Sequence, residues 1–156
     1  MSFLPVLLIC LLTFAAMEVA AWAMHKYVLH GPLWVLHRSH HEPHDGSLER
    51  NDWVILFYAA LSAAACVAGG WWLGVGLGIA LYGTVYFFVH DVLIHRRLRW
   101  FGKPVGAYLR AVDIAHKTHH ATKGRDGARA FGMLWVAAPY RALARRLHQG
   151  AAIDKK

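Results

Sequence analysis

The sequence predicts an all-α, polytopic membrane bundle of about three transmembrane helices, capped on one face by histidine-rich segments. Three observations predict it. The chain is 57% apolar and has a positive mean hydropathy although its net charge is +8. Its apolar residues gather into long uncharged runs, while all 17 Lys and Arg fall within residues 26–50 or from Arg96 onward. Ten of the 12 histidines follow closely on the ends of those runs, in two similar sets. Soluble chains with so much charge seldom carry so much apolar surface, and segregation along the chain points to lipid as the solvent.

Residues 2–24 form the first span, with Glu18 as their one charge. A stretch of about 20 apolar residues is enough to cross a bilayer as a helix. A cleaved signal peptide would need a basic start and a small-residue cleavage site, and would discard the histidines that follow at once. Residues 53–69 and 71–89 are two further uncharged segments, joined at Gly69-Gly70 and flanked by tryptophans. They read as a helical hairpin whose first arm is short, and crosses if Asp52 and Gly69 sit at headgroup level. Gly70, Gly74 and Gly78 on the third span, and Ala60, Ala64 and Ala68 on the second, recur every four residues. Such stripes let helix backbones approach closely in lipid. A dinucleotide site is excluded, because the glycines lie inside an uncharged span with no preceding strand.

Three spans place both basic regions on one side. The positive-inside rule makes that side the cytoplasm, with the N-terminus and the Gly69-Gly70 tip outside. The pI of about 9.9 then reports topology and attraction to anionic lipid rather than nucleic-acid binding. Cys10 and Cys66 lie within spans without disulfide or zinc-knuckle spacing, and are expected to be packing residues. No linker separates a soluble domain, so residues 1–156 are expected to be one domain. Residues 131–138 are apolar but too short to span; they are read as an interfacial or re-entrant segment, or as a small core beneath the cap. A basic, helix-like stretch follows at 141–148.

The histidines carry the chemistry. The first set is His25-x4-His30 followed by His37-x2-His40-His41; the second is His90-x4-His95 followed by His116-x2-His119-His120. Residues three and four apart share a helix face, so His37, His40 and His41 are expected to converge on one metal, and His116, His119 and His120 on another. A five-residue step turns by roughly 140° on an ideal α-helix. The pairs His25/His30 and His90/His95 therefore require local unwinding, a bulge, or two different metals. Ten imidazoles exceed what one ion holds, which implies two ions, or one ion with further histidines behind its ligands. Imidazole nitrogen alone does not name the metal. A zinc protease is disfavoured by the absence of H-E-x-x-H. A membrane cytochrome would hold its haem at mid-span, whereas these histidines stand at span ends. Interfacial histidines at the headgroups account for any single one of them, but not for a duplicated spaced pentad.

Carboxylates near the sets are candidates to accept the outward N–H of a ligating imidazole, chiefly Glu18, Asp91 and Asp113; Glu42 and Asp45 also lie nearby. Glu18 stands two helical turns before His25, and an ionisable residue inside a span is functional or internally paired by default. His44 lies outside the duplicated pattern as a spare ligand or a group behind the ligands. His148 is expected to be a solvated helix residue.

The arrangement resembles the membrane fatty acid hydroxylase and sterol desaturase superfamily, and within it the bacterial β-carotene 3-hydroxylases. The resemblance rests on Met17-Glu18-Val19, His25-Lys26-Tyr27, His30-Gly31, His37-Arg38-Ser39-His40-His41-Glu42-Pro43 and Asn51-Asp52. It continues through Tyr82-Gly83, Tyr86-Phe87, Val89-His90-Asp91, His95, Ala115-His116, His119-His120-Ala121 and Phe131-Gly132. It implies that the ten motif histidines ligate iron, with two irons expected, in a bacterial inner membrane. It also implies molecular oxygen as co-substrate, a ferredoxin-type donor with its reductase, and insertion of oxygen at carbon 3 of each β-ionone ring. A sterol, sphingoid base or fatty acyl chain is the alternative substrate; a metal transporter or sensor is the competing class, and would need a polar path through the spans.

Overall fold

The computed structural model describes residues 2–42, 48–102 and 106–153. His44 and Asp45 lie outside the described residues. Among the described residues there are helices and no strands. They are α1 (Phe3–Ala23), α2 (Trp34–His41), α3 (Asp52–Ala68), α4 (Gly70–Tyr86), α5 (Gly106–His120) and α6 (Ala138–Ile153). Two of them run on into π-helical turns: α1 into Met24–Leu29 and α4 into Phe87–Ile94.

The two π turns fall on the two five-residue histidine steps. The N–H of His30 bonds the carbonyl of His25 at 3.0 Å, and that of His95 bonds the carbonyl of His90 at 2.8 Å. This i→i+5 pattern widens the turn, so residues five apart come to one side, which an α-helix forbids. Of the alternatives that the spacing leaves open, the chain adopts the bulge.

With its π turn each of these helices is long and apolar enough to cross a bilayer: Phe3–Leu29 over 27 residues and Gly70–Ile94 over 25. Only 11% of the most apolar window of α1 is buried. Leu4, Leu8, Leu11 and Leu12 are therefore exposed along one helix, a patch that water does not tolerate. α3 is an apolar helix of 17 residues and is the shorter arm of the hairpin. The arms meet at Gly69 and Gly70, whose φ values of +69° and +56° lie in the left-handed region that glycine enters without steric cost. Trp53, Trp71 and Trp72 stand exposed at the hairpin ends, where aromatic rings settle at the membrane surface.

α4 is the central helix, packed against α1 on one side and α3 on the other. A Cβ on Gly74 would sit 2.8 Å from the carbonyl oxygen of Val6, and one on Gly78 would sit 2.6 Å from that of Cys10. Those glycines therefore serve the approach of α1. The alanine stripe is a correction: Ala60, Ala64 and Ala68 are exposed, and α3 meets α4 through buried Ser62 and Ala65 instead. The Ser62 hydroxyl donates to the Gly76 carbonyl at 2.7 Å, tying the hairpin arms together. Cys10 and Cys66 are free, partly buried thiols in these interfaces.

Two small cores hold the molecule. Met17, Ile79 and Tyr82 join α1 to α4 within the bundle. Val89, Ala111, Val112, Ala115, Met133, Val136 and Ala144 join the second π turn to α5, α6 and the segment between them. Met133 and Val136 thus make residues 131–138 part of the cap core, while Trp135 in the same stretch is 80% exposed. α6 keeps Arg141, Arg145, Arg146 and His148 exposed.

Candidate metal centre

Four elements bring histidines to one place. The first π turn supplies His25 and His30; α2 supplies His37, His40 and His41. The second π turn with the residue after it supplies His90 and His95, and the end of α5 supplies His116, His119 and His120. The structure sorts nine of the ten into two groups whose ligand atoms lie within 4.8 Å of one another. One holds His25, His30, His37, His41 and His119; the other holds His40, His90, His95 and His116.

The sorting corrects the helix-face expectation. His40 leaves His37 and His41 to join the second set, and His119 leaves His116 to join the first. On α2 and on α5 neighbouring histidines diverge by enough to feed two centres when these lie side by side. His120 sits between the groups, its ring 4.4 Å from that of His41 and 4.5 Å from that of His116, and its Nε2 is buried with no partner among the described residues.

Inner nitrogens face one another. Nε2 of His25 and His37 are 2.9 Å apart, His37 and His41 3.2 Å, His41 and His119 3.1 Å, and His30 and His119 3.2 Å. In the second group His40 and His90 are 3.0 Å apart and His95 and His116 2.7 Å. The outward nitrogens tell what these contacts are. His25 Nδ1 lies 3.0 Å from the carbonyl oxygen of Phe131, His30 Nδ1 2.7 Å from that of Arg125, His41 Nδ1 2.9 Å from that of Thr122, and His119 Nδ1 3.0 Å from that of Arg129. A carbonyl only accepts, so each Nδ1 donates, and in a neutral ring Nε2 then carries a lone pair. The contacts of His119 with His30 and His41 are therefore lone pair against lone pair. Two imidazole nitrogens about 2.1 Å from one ion at a right angle stand about 3.0 Å apart. The donor sets fit metal ions.

Side-chain acceptors complete the outer layer. His37 Nδ1 lies 2.8 Å from Asn51 Oδ1, His40 Nδ1 2.7 Å from Glu49 Oε2, and His90 Nδ1 3.3 Å from Asp91 Oδ1. Arg97 bridges Asp91 (3.1 Å) and Asp52 (2.8 Å), fastening the start of α3 to the second π turn. Burial, with neighbouring imidazoles adding to it, lowers the pKa of His37, His95 and His119 to about 3 and of His120 to about 2. Burial takes His41 to about 4, and holds His40 and His116 well below the ordinary value. These imidazoles are neutral at pH 7, the state that ligates.

Of the carboxylates read from the sequence, Asp91 backs His90. Asp113 pairs instead with Lys117 (2.7 Å), one turn along α5. Glu42 pairs with Arg38 at the surface. Glu18 meets the backbone of residues 133–135 and the Tyr82 hydroxyl. Glu49, Arg97 and the loop carbonyls were not read from the sequence. Glu49 lies nine residues beyond His40, and no local period links them.

The groups face a cavity of about 530 Å³ between α1, α3 and α4. His25, His37 and His90 line one end, and Ile55, Tyr58, Ile79 and Phe87 line its apolar walls. A second cavity, about 360 Å³, reaches His40, His41, His95, His116 and His120 past Glu42, Lys117 and Lys123.

Residues 10–137 match the fatty acid hydroxylase family. The chain is 39% identical to a β-carotene hydroxylase of Paracoccus sp. (strain PC1) over 134 residues, 83% of each chain. It is 41% identical to one of Pantoea ananas over 133 residues, 83% of this chain and 76% of that one. It is 43% identical to a chloroplastic β-carotene 3-hydroxylase of an Oncidium hybrid cultivar over 118 residues, 67% of this chain and 36% of the longer plant protein. No solved structure matches. A family match over most of the chain, together with relatives this similar along their length, places the chain in the fatty acid hydroxylase family.

Proposed function

We propose that this protein hydroxylates the β-ionone rings of β-carotene at carbon 3, giving β-cryptoxanthin and then zeaxanthin, at a centre of two histidine-held irons. The observation that carries the reading is the convergence of two histidine groups on the end of an apolar cavity in a chain so similar to β-carotene hydroxylases. Iron bound there would supply the activation of O2 that no side chain provides. In the balanced reaction one oxygen atom ends in the C–OH group and the other in water, with two electrons from a soluble donor and two protons from solvent. His25, His30, His37, His41 and His119 would hold one iron, and His40, His90, His95 and His116 the other; His120 stands ready to join either.

The rest of the chain binds, orients and excludes water. The cavity walls, from Met17 and Ala21 on α1 to Tyr86 on α4 and Phe87 on the π turn after it, receive an apolar ring from the bilayer and hold it against the histidine end. The second cavity, rimmed by Lys117 and Lys123, leaves a separate approach to a ferredoxin-type donor. The whole chain, residues 1–156, acts as one hydroxylase domain in the bacterial inner membrane. α3 serves as the second of three spans, with the N-terminus outside and the metal face in the cytoplasm. Reporter fusions at Gly70 and at Lys156 then report opposite sides.

Expression in cells that accumulate β-carotene tests the reading. Conversion to zeaxanthin carrying label from 18O2, with about two irons in the purified protein, is the expected result. Unchanged β-carotene beside oxidised acyl lipid or sterol would move the substrate to another lipid, and the absence of bound iron would end the reading.

A further inference from the structure

The half-buried carboxylate of Glu18 bonds no histidine among the described residues, yet it accepts from four donors. Its Oε1 takes the backbone N–H of Met133 (3.0 Å), Leu134 (2.9 Å) and Trp135 (2.8 Å), and its Oε2 takes the Tyr82 hydroxyl (2.8 Å). Three consecutive N–H groups on one oxygen make an anion nest. The nest belongs to non-helical chain reaching the side of an apolar helix, where backbone N–H groups have no water to bond. Gly132 makes the approach possible: a Cβ there would stand 2.7 Å from the Trp135 carbonyl oxygen and 3.4 Å from Glu18 Oε1.

The segment that Glu18 fastens is the one that orients the five-histidine group. Phe131 lies two residues before Met133, and its carbonyl fixes His25 Nδ1. The Phe131 ring packs edge-on against the rings of His25, His30 and His119, at 5.5, 5.2 and 5.1 Å. Carbonyls of Arg125 and Arg129, upstream in the same segment, hold His30 and His119. Seven residues separate Glu18 from His25 on their helix, about 10 Å of rise, so the carboxylate reaches that imidazole through the loop and not directly. The four-histidine group takes its backing from Glu49 and Asp91 and does not touch this segment through the bonds described.

We propose that Glu18 is a positioning residue for the five-histidine site: it clamps the backbone of residues 133–135, and so sets the Phe131 carbonyl that aims His25. The proposal rests on the reading that the histidines hold metal. It predicts a selective effect, weakening one of two metal sites, where a merely structural carboxylate inside the bundle would weaken both.

The test uses the full-length protein in detergent, stripped of metal and titrated with Fe(II) under argon, alongside amide hydrogen exchange on the metal-free form. Glu18→Ala is expected to speed exchange at residues 133–135 and to weaken one site about 10-fold, leaving the other unchanged. Glu18→Gln, which keeps an acceptor oxygen, should lose less. On a His25→Ala background, Glu18→Ala should weaken that site by less than it does in the wild type. Faster exchange with both affinities unchanged would overturn the proposal, and so would equal weakening of both sites, or full additivity with His25→Ala. If Glu18→Ala does not fold, Gly132→Ala displaces the same loop with the carboxylate in place. The same one-site weakening is expected, and unchanged affinities would overturn the proposal. Failure of the underlying reading shows separately, as a wild-type protein that takes up no iron, and it takes the proposal with it.

Discussion

The two histidine groups differ more in what stands behind them than in their ligands. In the five-histidine group every outward nitrogen described ends on a neutral acceptor: the carbonyls of Phe131, Arg125, Thr122 and Arg129, and the Asn51 side chain. In the four-histidine group His40 is backed by Glu49 and His90 by Asp91, carboxylates whose side chains are only 4% and 3% exposed. A buried carboxylate is costly unless its oxygens are satisfied, and here the His40 N–H donates to Glu49 while Arg97 braces Asp91. A carboxylate also makes the imidazole in front of it a stronger donor than an amide does. One group has more histidines and neutral backing; the other has fewer histidines and carboxylates close behind them. The lesson is that a duplicated sequence pattern has produced two sites that are not duplicates.

The largest effects should come from the two histidines that cross between the groups. His40→Ala and His119→Ala each remove a ligand and should lower hydroxylation by at least about 100-fold, measured as zeaxanthin formed per bound iron. Loss of iron from one site only in each variant would sharpen the comparison; loss from both would show that the sites stand or fall together.

Acid should act next. The folded values of His37, His41, His95, His119 and His120 lie at about 2 to 4, below the 6.5 of a free imidazole. Between those limits the unfolded chain binds more protons than the folded one, so folding stability rises with pH and falls as pH drops below about 6.5. Each such group contributes about 1.4 kcal/mol per pH unit in that window. Thermal unfolding of the metal-free protein between pH 7.5 and 5 should show a falling midpoint, and a flat profile would contradict the burial of these rings.

Removing the backing acceptors tests the contrast itself. Glu49→Gln should weaken the four-histidine site by about 10- to 100-fold and leave the other unchanged, as read by iron titration. Asn51→Ala should do the converse by about 10-fold or less, since the bond lost from His37 is neutral. Equal losses from both variants would erase the distinction between charged and neutral backing. At the bottom of the scale, His148→Ala on the exposed face of α6 should leave metal content and turnover unchanged.

What the sequence determined by itself is whatever a local period or a local composition encodes. The uncharged runs predict helices in lipid, and the five-residue steps His25/His30 and His90/His95 rule out a regular α-helix serving one metal; of the alternatives left open, the chain supplies π helix at both places. The ten histidines are legible as one metal-binding face because both sets begin where an apolar run ends. Their partition was not legible. The choice of His40 by His90, 50 residues away, and of His119 by His30, 89 residues away, depends on how α2 and α5 lie across the bundle. The same holds for Glu18: composition marks it as a charge that must be paired, but its partners are backbone N–H groups 115 to 117 residues on. Even the glycine stripe of α4 named a close approach without naming the helix that makes it, which is α1. Side-chain spacing fixes which residues share a face of one helix. Only tertiary packing, which brings a second element to that face, decides what the residues meet there.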